Sequence, residues 1–404
     1  MSMEQMRVIA LGGCGGMGRF AVWTALNYDF VKKIIIADRN VEMARSFARD
    51  CGPKASFQEI DVTDPKALSG LLNGADVVMT TVGPYYRLGL PILRAAVKAG
   101  CHYIDINDDW EPTLEMLDLD GEARKAGVTA IVGMGASPGV SNMLAAKALS
   151  LLDSVEDLFT GWSADVVMTT VGGGDETDRP GQGGSYGAAI EHWLHQVTGT
   201  IRVFQQGRFV DVKPIQEVKI NYPGLGWGRA YTVGHPEPVT LPRLRPELKN
   251  SSNVMVISPR LVELLRGLAA EIDGGRMKIS DAVELILNPS ETPREASSSP
   301  ESDQGSETRL PPLFAYARGM KGSKRTSVGV TITAGVKGGM GGATGVPMAI
   351  GLKMMAKGKI ARHGVFAPEA VMDPDAFFDE FGLLCTPPRA NAGELLMVTM
   401  AVDK

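Results

Sequence analysis

The sequence predicts an α/β fold, a doubly wound parallel sheet joined to an α+β second domain, on three observations. Short apolar strands alternate with helical segments from Arg7 to Gly135, the pattern of βαβ units. The first strand runs straight into a glycine-rich turn that opens a helix. After Gly135 the texture changes to longer strand-like stretches separated by Gly/Pro loops. With 404 residues and roughly 150 per domain, two domains are the natural division. Residues 1–135 with about 341–382 are expected to form the first, and 136–340 the second.

Taken in order, strands are expected at 7–11, 33–37, 56–60, 77–81, 102–106 and 128–132, each short and apolar enough for a buried parallel strand. Helices are expected between them at 18–28, 41–50, 65–72, 89–99 and 111–126. Asp64 precedes Pro65 at a first helical position, and Gly100 and Gly127 fall just past two helix ends. In the second domain, strand-like stretches fall at 158–170, 200–212 and 327–333. The segment 288–312 is nearly without apolar side chains, so it reads as a mobile insertion. Residues 75–83 and 164–172 both read ADVVMTTVG, which we take as two similar buried strands because their flanks differ.

Composition narrows the function classes. Apolar residues at 44% and charged residues at 22% are those of an ordinary globular protein. A net charge of −5 offers no footprint for a phosphate backbone, so no nucleic-acid partner is expected. No apolar run reaches the roughly 18 residues of a membrane span, and no signal-type stretch opens the chain, so a cytoplasmic protein without membrane association is expected. Cys14, Cys51, Cys101 and Cys385 form no C-x-x-C pair, and no metal site is expected.

The glycine turn carries the chemistry. Gly13, Gly15 and Gly18 form G-x-G-x-x-G between a strand and a helix, the Rossmann-type arrangement in which the backbone meets a pyrophosphate at a helix N-terminus. Gly16 and Met17 complete the loop. Asp38 stands at the expected distance of about 20 residues, where it would accept the ribose hydroxyls of NAD, while Arg39 would pair with the 2′-phosphate of NADP. Both cofactors stay open. Asp61 and Val62 are placed to meet the adenine.

Ligands of such sheets lie beyond the C-terminal strand ends. There Gly83 and Pro84 form a rigid turn suited to a nicotinamide, followed by Tyr85 and Tyr86, and Asp105, Asp108 and Asp109 cluster after the fifth strand. Carboxylates that close raise one another's pKa, which suits proton transfer, and Asp105 or Asp108 with Tyr85 are the candidates. Ser137 and Asn142 flank a further helix start, near where a substrate carboxylate would bind. His192 and His195 share a helix face without a third metal ligand, and Arg243 lies in a Pro-rich loop where it could clamp a carboxylate. His192 and Arg243 join the substrate candidates.

These motifs resemble the saccharopine dehydrogenase and reductase-like family, which includes lysine 6-dehydrogenases and carboxynorspermidine dehydrogenases. The resemblance rests on Gly13-Cys14-Gly15-Gly16-Met17-Gly18, Val82-Gly83-Pro84-Tyr85 and Ala99-Gly100-Cys101-His102-Tyr103-Ile104-Asp105. It continues through Gly135-Ala136-Ser137-Pro138-Gly139, Gly234-His235-Pro236-Glu237-Pro238 and Ala343-Thr344-Gly345-Val346-Pro347. It implies an NAD(P)-dependent oxidoreductase acting on a carbon bearing nitrogen, with an amino acid, an amine or an imine adduct as substrate, working as a homodimer. It also implies that the helix after Pro347 returns to the first domain. The family match departs at 172–187. A dinucleotide sensor without chemistry, or an enoyl or carbonyl reductase, are the alternatives.

Overall fold

The computed structural model describes residues 5–164, 185–287 and 308–403. Six strands, β1 (Met6–Leu11), β2 (Val31–Asp38), β3 (Ala55–Glu59), β4 (Val77–Thr80), β5 (His102–Asp105) and β6 (Thr129–Ile131), lie parallel in the order β6, β5, β4, β1, β2, β3. A seventh parallel strand from late in the chain, Gly364–Phe366, adds beside β6. The order reverses between β1 and β4, so the crevice for a ligand opens above their C-terminal ends. Helices cover both faces, which is why β1 and β4 are buried almost without alternation.

The helices of this layer are α1 (Gly16–Leu26), α2 (Val41–Asp50), α3 (Pro65–Leu72), α4 (Tyr85–Ala99), α5 (Trp110–Leu117) and α6 (Asp120–Lys125). Local signals set their ends. The Asn40 side chain accepts the Met43 N–H, and Asp64 accepts those of Lys66 and Ala67, caps worth about 1 kcal/mol each. Gly100 and Gly127 both take φ 68° just past helix ends, a region L side chains avoid. Two expectations need correction. Helix α4 starts at Tyr85 rather than 89, because its buried stripe of Tyr85, Gly89, Ile92, Leu93, Ala96 and Val97 runs through Pro91. The single helix expected at 111–126 is broken in two, and the break turns Leu119 into the core.

From β6 the chain enters α7 (Val140–Ser150) and crosses to a second, mixed sheet. Its strands are β7 (Ser154–Ser163), β8 (Ile201–Gln205), β9 (Arg208–Val212), β10 (Glu217–Tyr222), β11 (Gly226–Thr232), β12 (Asn250–Val256), β13 (Leu313–Lys321) and β14 (Lys324–Ile332). The order is β10, β11, β12, β7, β13, β14, closed at the edge by Leu396–Val402, with β8 bridging β12 and β9. Only β12 with β7 is parallel among these pairs. Helix α8 (Ser185–Gln196) packs on this domain through Ile190, Trp193 and Leu194. The second ADVVMTTVG segment beyond Ala164, the 172–187 loop up to 184, and 288–307 of the expected insertion lie outside the described residues.

The helix Gly339–Ala356 then returns to the first domain. Gly345 lies against the Met17 carbonyl and Ala21 of α1, where a Cβ would find no room, and Gly351 sits against Ile104 and Met134. Among the described residues, no helix is long and apolar enough to cross a membrane.

Candidate functional site

The glycine turn is built for close backbone approach. Helix α1 follows Gly15, which as a glycine offers no side-chain cap, so no capping side chain occupies the helix N-terminus. A Cβ on Gly13 would meet that of Ala10 at 2.8 Å, and one on Gly18 would meet Gly13 Cα at 2.8 Å, whereas Gly15 has a single neighbour, the Gly12 carbonyl oxygen at 3.3 Å. Two of these glycines pack the turn, and the third keeps a surface open. Gly16 is exposed and Met17 half-buried beside them.

The turn is tied to the acid after β2. Cys14 donates its thiol to Asp38 Oδ2 at 3.1 Å, and the Asn40 N–H reaches Asp38 Oδ1 at 2.9 Å. Burial, then this carboxylate, push the Cys14 thiol up to about 12, so it stays protonated and keeps donating. Asp38 is thereby oriented at the crevice edge, with Arg39 exposed beside it. Asp61 is exposed and accepts both the N–H and the hydroxyl of Thr63, bonds that hold its carboxyl below the usual range. Val62 packs against the core beneath. Gly83 has open space around it, and Pro84 precedes α4 without a side-chain cap of its own, while the Tyr86 N–H near the helix start is met by Asp109. These residues fit a dinucleotide.

The three carboxylates after β5 have separate fates. Asp105 is fully buried; it accepts the Tyr103 hydroxyl at 2.6 Å and the N–H groups of Gly133 and Asn107 at 2.7 and 3.1 Å. Burial raises it to about 6 against those donors. Both its oxygens are already engaged within the fold, around β5 and the end of β6. Tyr85, the expected partner of these acids, is buried and donates to the Thr80 carbonyl at 3.1 Å. The exposed aromatic is Tyr86, whose ring lies 5.8 Å from that of His195 on α8.

Asp108 reaches across to the second domain. Its Oδ1 stands 2.9 Å from His192 Nε2, and Gln196 Nε2 donates to its Oδ2 at 3.2 Å. Asp109 Oδ1 is 3.6 Å from the same imidazole nitrogen, while Asp109 Oδ2 is buried without a partner among the described residues. Burial opposes a charged His192, but Asp108 and then Asp109 outweigh it and raise the imidazole to about 9. The same pairing overcomes burial at Asp108 and lowers its carboxyl. Burial dominates at Asp109, which rises to about 6. The result is a carboxylate–imidazolium pair, half-exposed, carrying one proton through neutral pH.

Behind it lies a buried polar cluster that residue types alone do not reveal. Glu237, fully buried, accepts the hydroxyls of Ser137 and Ser141 at 2.5 and 2.7 Å and the Asn253 amide at 2.8 Å, all on Oε1. Its Oε2 faces His235 Nδ1 at 3.5 Å. Burial works to raise this carboxyl, yet His235 and the hydroxyl donors hold it low. Ser137 therefore serves Glu237. Asn142, expected at the substrate, is 1% exposed; its Oδ1 accepts the Gly139 N–H at 2.8 Å and its amide donates to Glu369 at 2.8 Å. Arg243 is exposed on the short turn Leu241–Leu244 and has no hydrogen bond among the described residues. Among the described residues no group of side chains is arranged to hold a metal ion.

Comparison with known proteins agrees with this geometry. Residues 8–131 match the model of the saccharopine dehydrogenase NADP binding domain. Over 95% of the chain and 97% of the relative, it is 26% identical to carboxyaminopropylagmatine dehydrogenase of Synechocystis sp. (strain ATCC 27184 / PCC 6803 / Kazusa). A trans-acting enoyl reductase of Mycobacterium tuberculosis is 30% identical, but over only 33% of this chain and 32% of its own. In structure, the apo histidine-tagged saccharopine dehydrogenase (L-Glu forming) from Saccharomyces cerevisiae superimposes with a TM-score of 0.63 at 16% identity, covering 98% of this chain and all of that one.

Proposed function

From a chain whose first domain is of the saccharopine dehydrogenase NADP-binding kind, we propose an NAD(P)-dependent dehydrogenase that transfers hydride to or from an amine-bearing carbon of an amino acid, an amine or its imine adduct. The observation that carries this reading is the Asp108–His192 pair at 2.9 Å, which joins the two domains beside the start of α4. The match to the enoyl reductase covers only 33% of this chain and 32% of that one, too little to carry enoyl chemistry over to this protein.

In this reading Gly13, Gly15, Gly16, Met17 and Gly18 hold the pyrophosphate, Asp38 the ribose, and Gly83 and Pro84 the nicotinamide. When bound, the nicotinamide supplies or accepts the hydride at its C4. Reducing an imine to an amine consumes one hydride and one proton. His192 is the donor of that proton, because Asp108 keeps it charged at neutral pH. In the oxidative direction the pair takes the proton back. Tyr86 and His195 wall the outer side of the cleft. We take the protein to work in the cytoplasm as a homodimer, and the exposed apolar side chains of Met397, Val398, Met400 and Val402 on an edge strand support the self-association alone.

The test is a titration with NADH and NADPH followed by a panel of amino acids, diamines and oxo-acid plus amine pairs, read at the reduced-nicotinamide absorbance. Turnover is expected only where the substrate carries, or is supplied with, an amine. Reduction of a carbonyl or enoyl compound without any amine would overturn the reading. Because the Asp38 carboxylate, held by Cys14 and Asn40, repels a 2′-phosphate, NADH is expected to bind at least about tenfold more tightly than NADPH. Asp38→Ser should narrow or reverse that ratio. A wild-type preference for NADPH would assign the ribose site to Arg39 instead.

A further inference from the structure

We propose that Glu237 is a positioning residue for His235, and that this second imidazole, set by Glu237 with its Nδ1 protonated, backs the Asp108–His192 pair. The inference rests on the dehydrogenase reading above and goes beyond it, since His235 and Glu237 are not needed to bind the cofactor or to form the first pair.

Three features of the cluster point the same way. First, Glu237 is anchored on one side only: Ser137, Ser141 and Asn253 all donate to Oε1, which leaves Oε2 for His235 Nδ1 at 3.5 Å and without any other partner among the described residues. A buried carboxylate oxygen left this way costs free energy unless a donor completes it, and the imidazole N–H is the donor within reach. Second, the cluster is continuous with the cleft. The Gly234 N–H donates to the Gln196 carbonyl at 2.9 Å, and Gln196 in turn holds Asp108. Third, His235 is felt electrostatically by both Asp108 and Asp109, and it acts to lower each of them. Asp108 and Asp109 come from the first domain and Glu237 from the second, so the imidazole is within electrostatic reach of acids from both.

The ring is also held from its flank. Trp162, whose indole N–H donates to Asn253 at 2.9 Å, lies with its ring 5.7 Å from that of His235. Asn253 thus connects the ring that flanks the imidazole to the carboxylate that orients it. A carboxylate that fixes the tautomer and direction of an imidazole is a recurring device where a proton must be managed.

Glu237→Gln separates the two roles. The amide keeps the volume and can still accept on its oxygen, but it presents an N–H to Nδ1 and so demands the opposite tautomer. Cofactor Kd, kcat and substrate KM are to be measured for wild type, Glu237→Gln, His235→Asn and the double variant. Each single variant is expected to keep cofactor Kd within about twofold and to lose about tenfold or more in kcat, with the double variant no worse than the singles. A kcat within twofold of wild type, or losses that multiply in the double variant, would overturn the proposal. So would a parallel loss of cofactor affinity and kcat, the mark of a purely structural group. Should the variants fail to fold, histidine 15N spectra of the wild-type protein still decide: with five histidines in the chain, at least one neutral or charged ring must carry a slowly exchanging Nδ1–H. Its absence would also overturn the proposal. Wild-type turnover is measured first. No turnover on any amine would sink the dehydrogenase reading, whereas turnover with unaffected variants would sink this inference alone.

Discussion

Replacing Asp108 with Asn is expected to lower kcat for imine reduction about 10²- to 10⁴-fold, the range associated with losing a positioned acid or base, while cofactor affinity changes less than about twofold. The amide fits the same space and can still meet Gln196, so packing is conserved. What disappears is the charge 2.9 Å from His192 Nε2. Burial then acts on the imidazole with Asp109, at 3.6 Å, and the more weakly acting Glu191 to oppose it. The sign can be followed through pH. In the wild type the imidazole is held charged up to about 9, so reductive kcat should be level through neutrality and fall as pH rises through that value. In Asp108→Asn the ring loses its proton earlier, and the falling limb should move to lower pH. A pH–rate profile of both proteins checks this. An alkaline limb at the same pH in both would remove His192 from the proton step, and an unchanged kcat would remove Asp108.

Much of the first domain was legible because its signals are local. Asp64 before Pro65, Gly100 after a helix and the G-x-G-x-x-G turn each depend on a few neighbouring residues, and each takes the predicted conformation. The site at the strand ends was only partly legible. That the fifth strand would end in a cluster of acids could be read, but which one faces the cleft is decided by Tyr103, Gly133 and Asn107 saturating Asp105. Tyr85 and Tyr86 look alike in sequence, and only the direction in which α4 starts buries one and exposes the other. Glu237 and Glu369 carry no mark of burial, since acids usually stay in water. Their donors come from α7, β12 and the turns around them, segments that meet only after both domains have folded. The Gly234-His235-Pro236-Glu237-Pro238 run was the available hint, because prolines around an acid suit the first turn of a short helix, and Glu237 does open the helix Glu237–Thr240.

The glycine turn allows a test in which stability and binding part company. At Gly18 an added Cβ would lie 2.8 Å from Gly13 Cα and 3.0 Å from Gly13 C, and would press on the Gly12 carbonyl. These are backbone atoms that cannot rotate away, so Gly18→Ala must pry α1 from β1. It is expected to lose about 1–3 kcal/mol of stability through overpacking, and most of its dinucleotide affinity because the helix N-terminus is displaced. Gly15 is different. Its φ of −72° suits any residue, and its only neighbour is a carbonyl oxygen at 3.3 Å. Alanine there asks the Gly12 carbonyl to give by only a few tenths of an ångström, and the added methyl occupies the face that a pyrophosphate would approach. Gly15→Ala should therefore melt within about 1 kcal/mol of wild type yet bind NADH about tenfold or more weakly. Thermal melts with and without cofactor read both effects, since binding to the folded state raises the melting temperature. If Gly15→Ala keeps wild-type affinity, the dinucleotide does not sit on this turn. If both variants lose affinity and only Gly18→Ala loses stability, one glycine shapes the protein and the other makes space for its ligand.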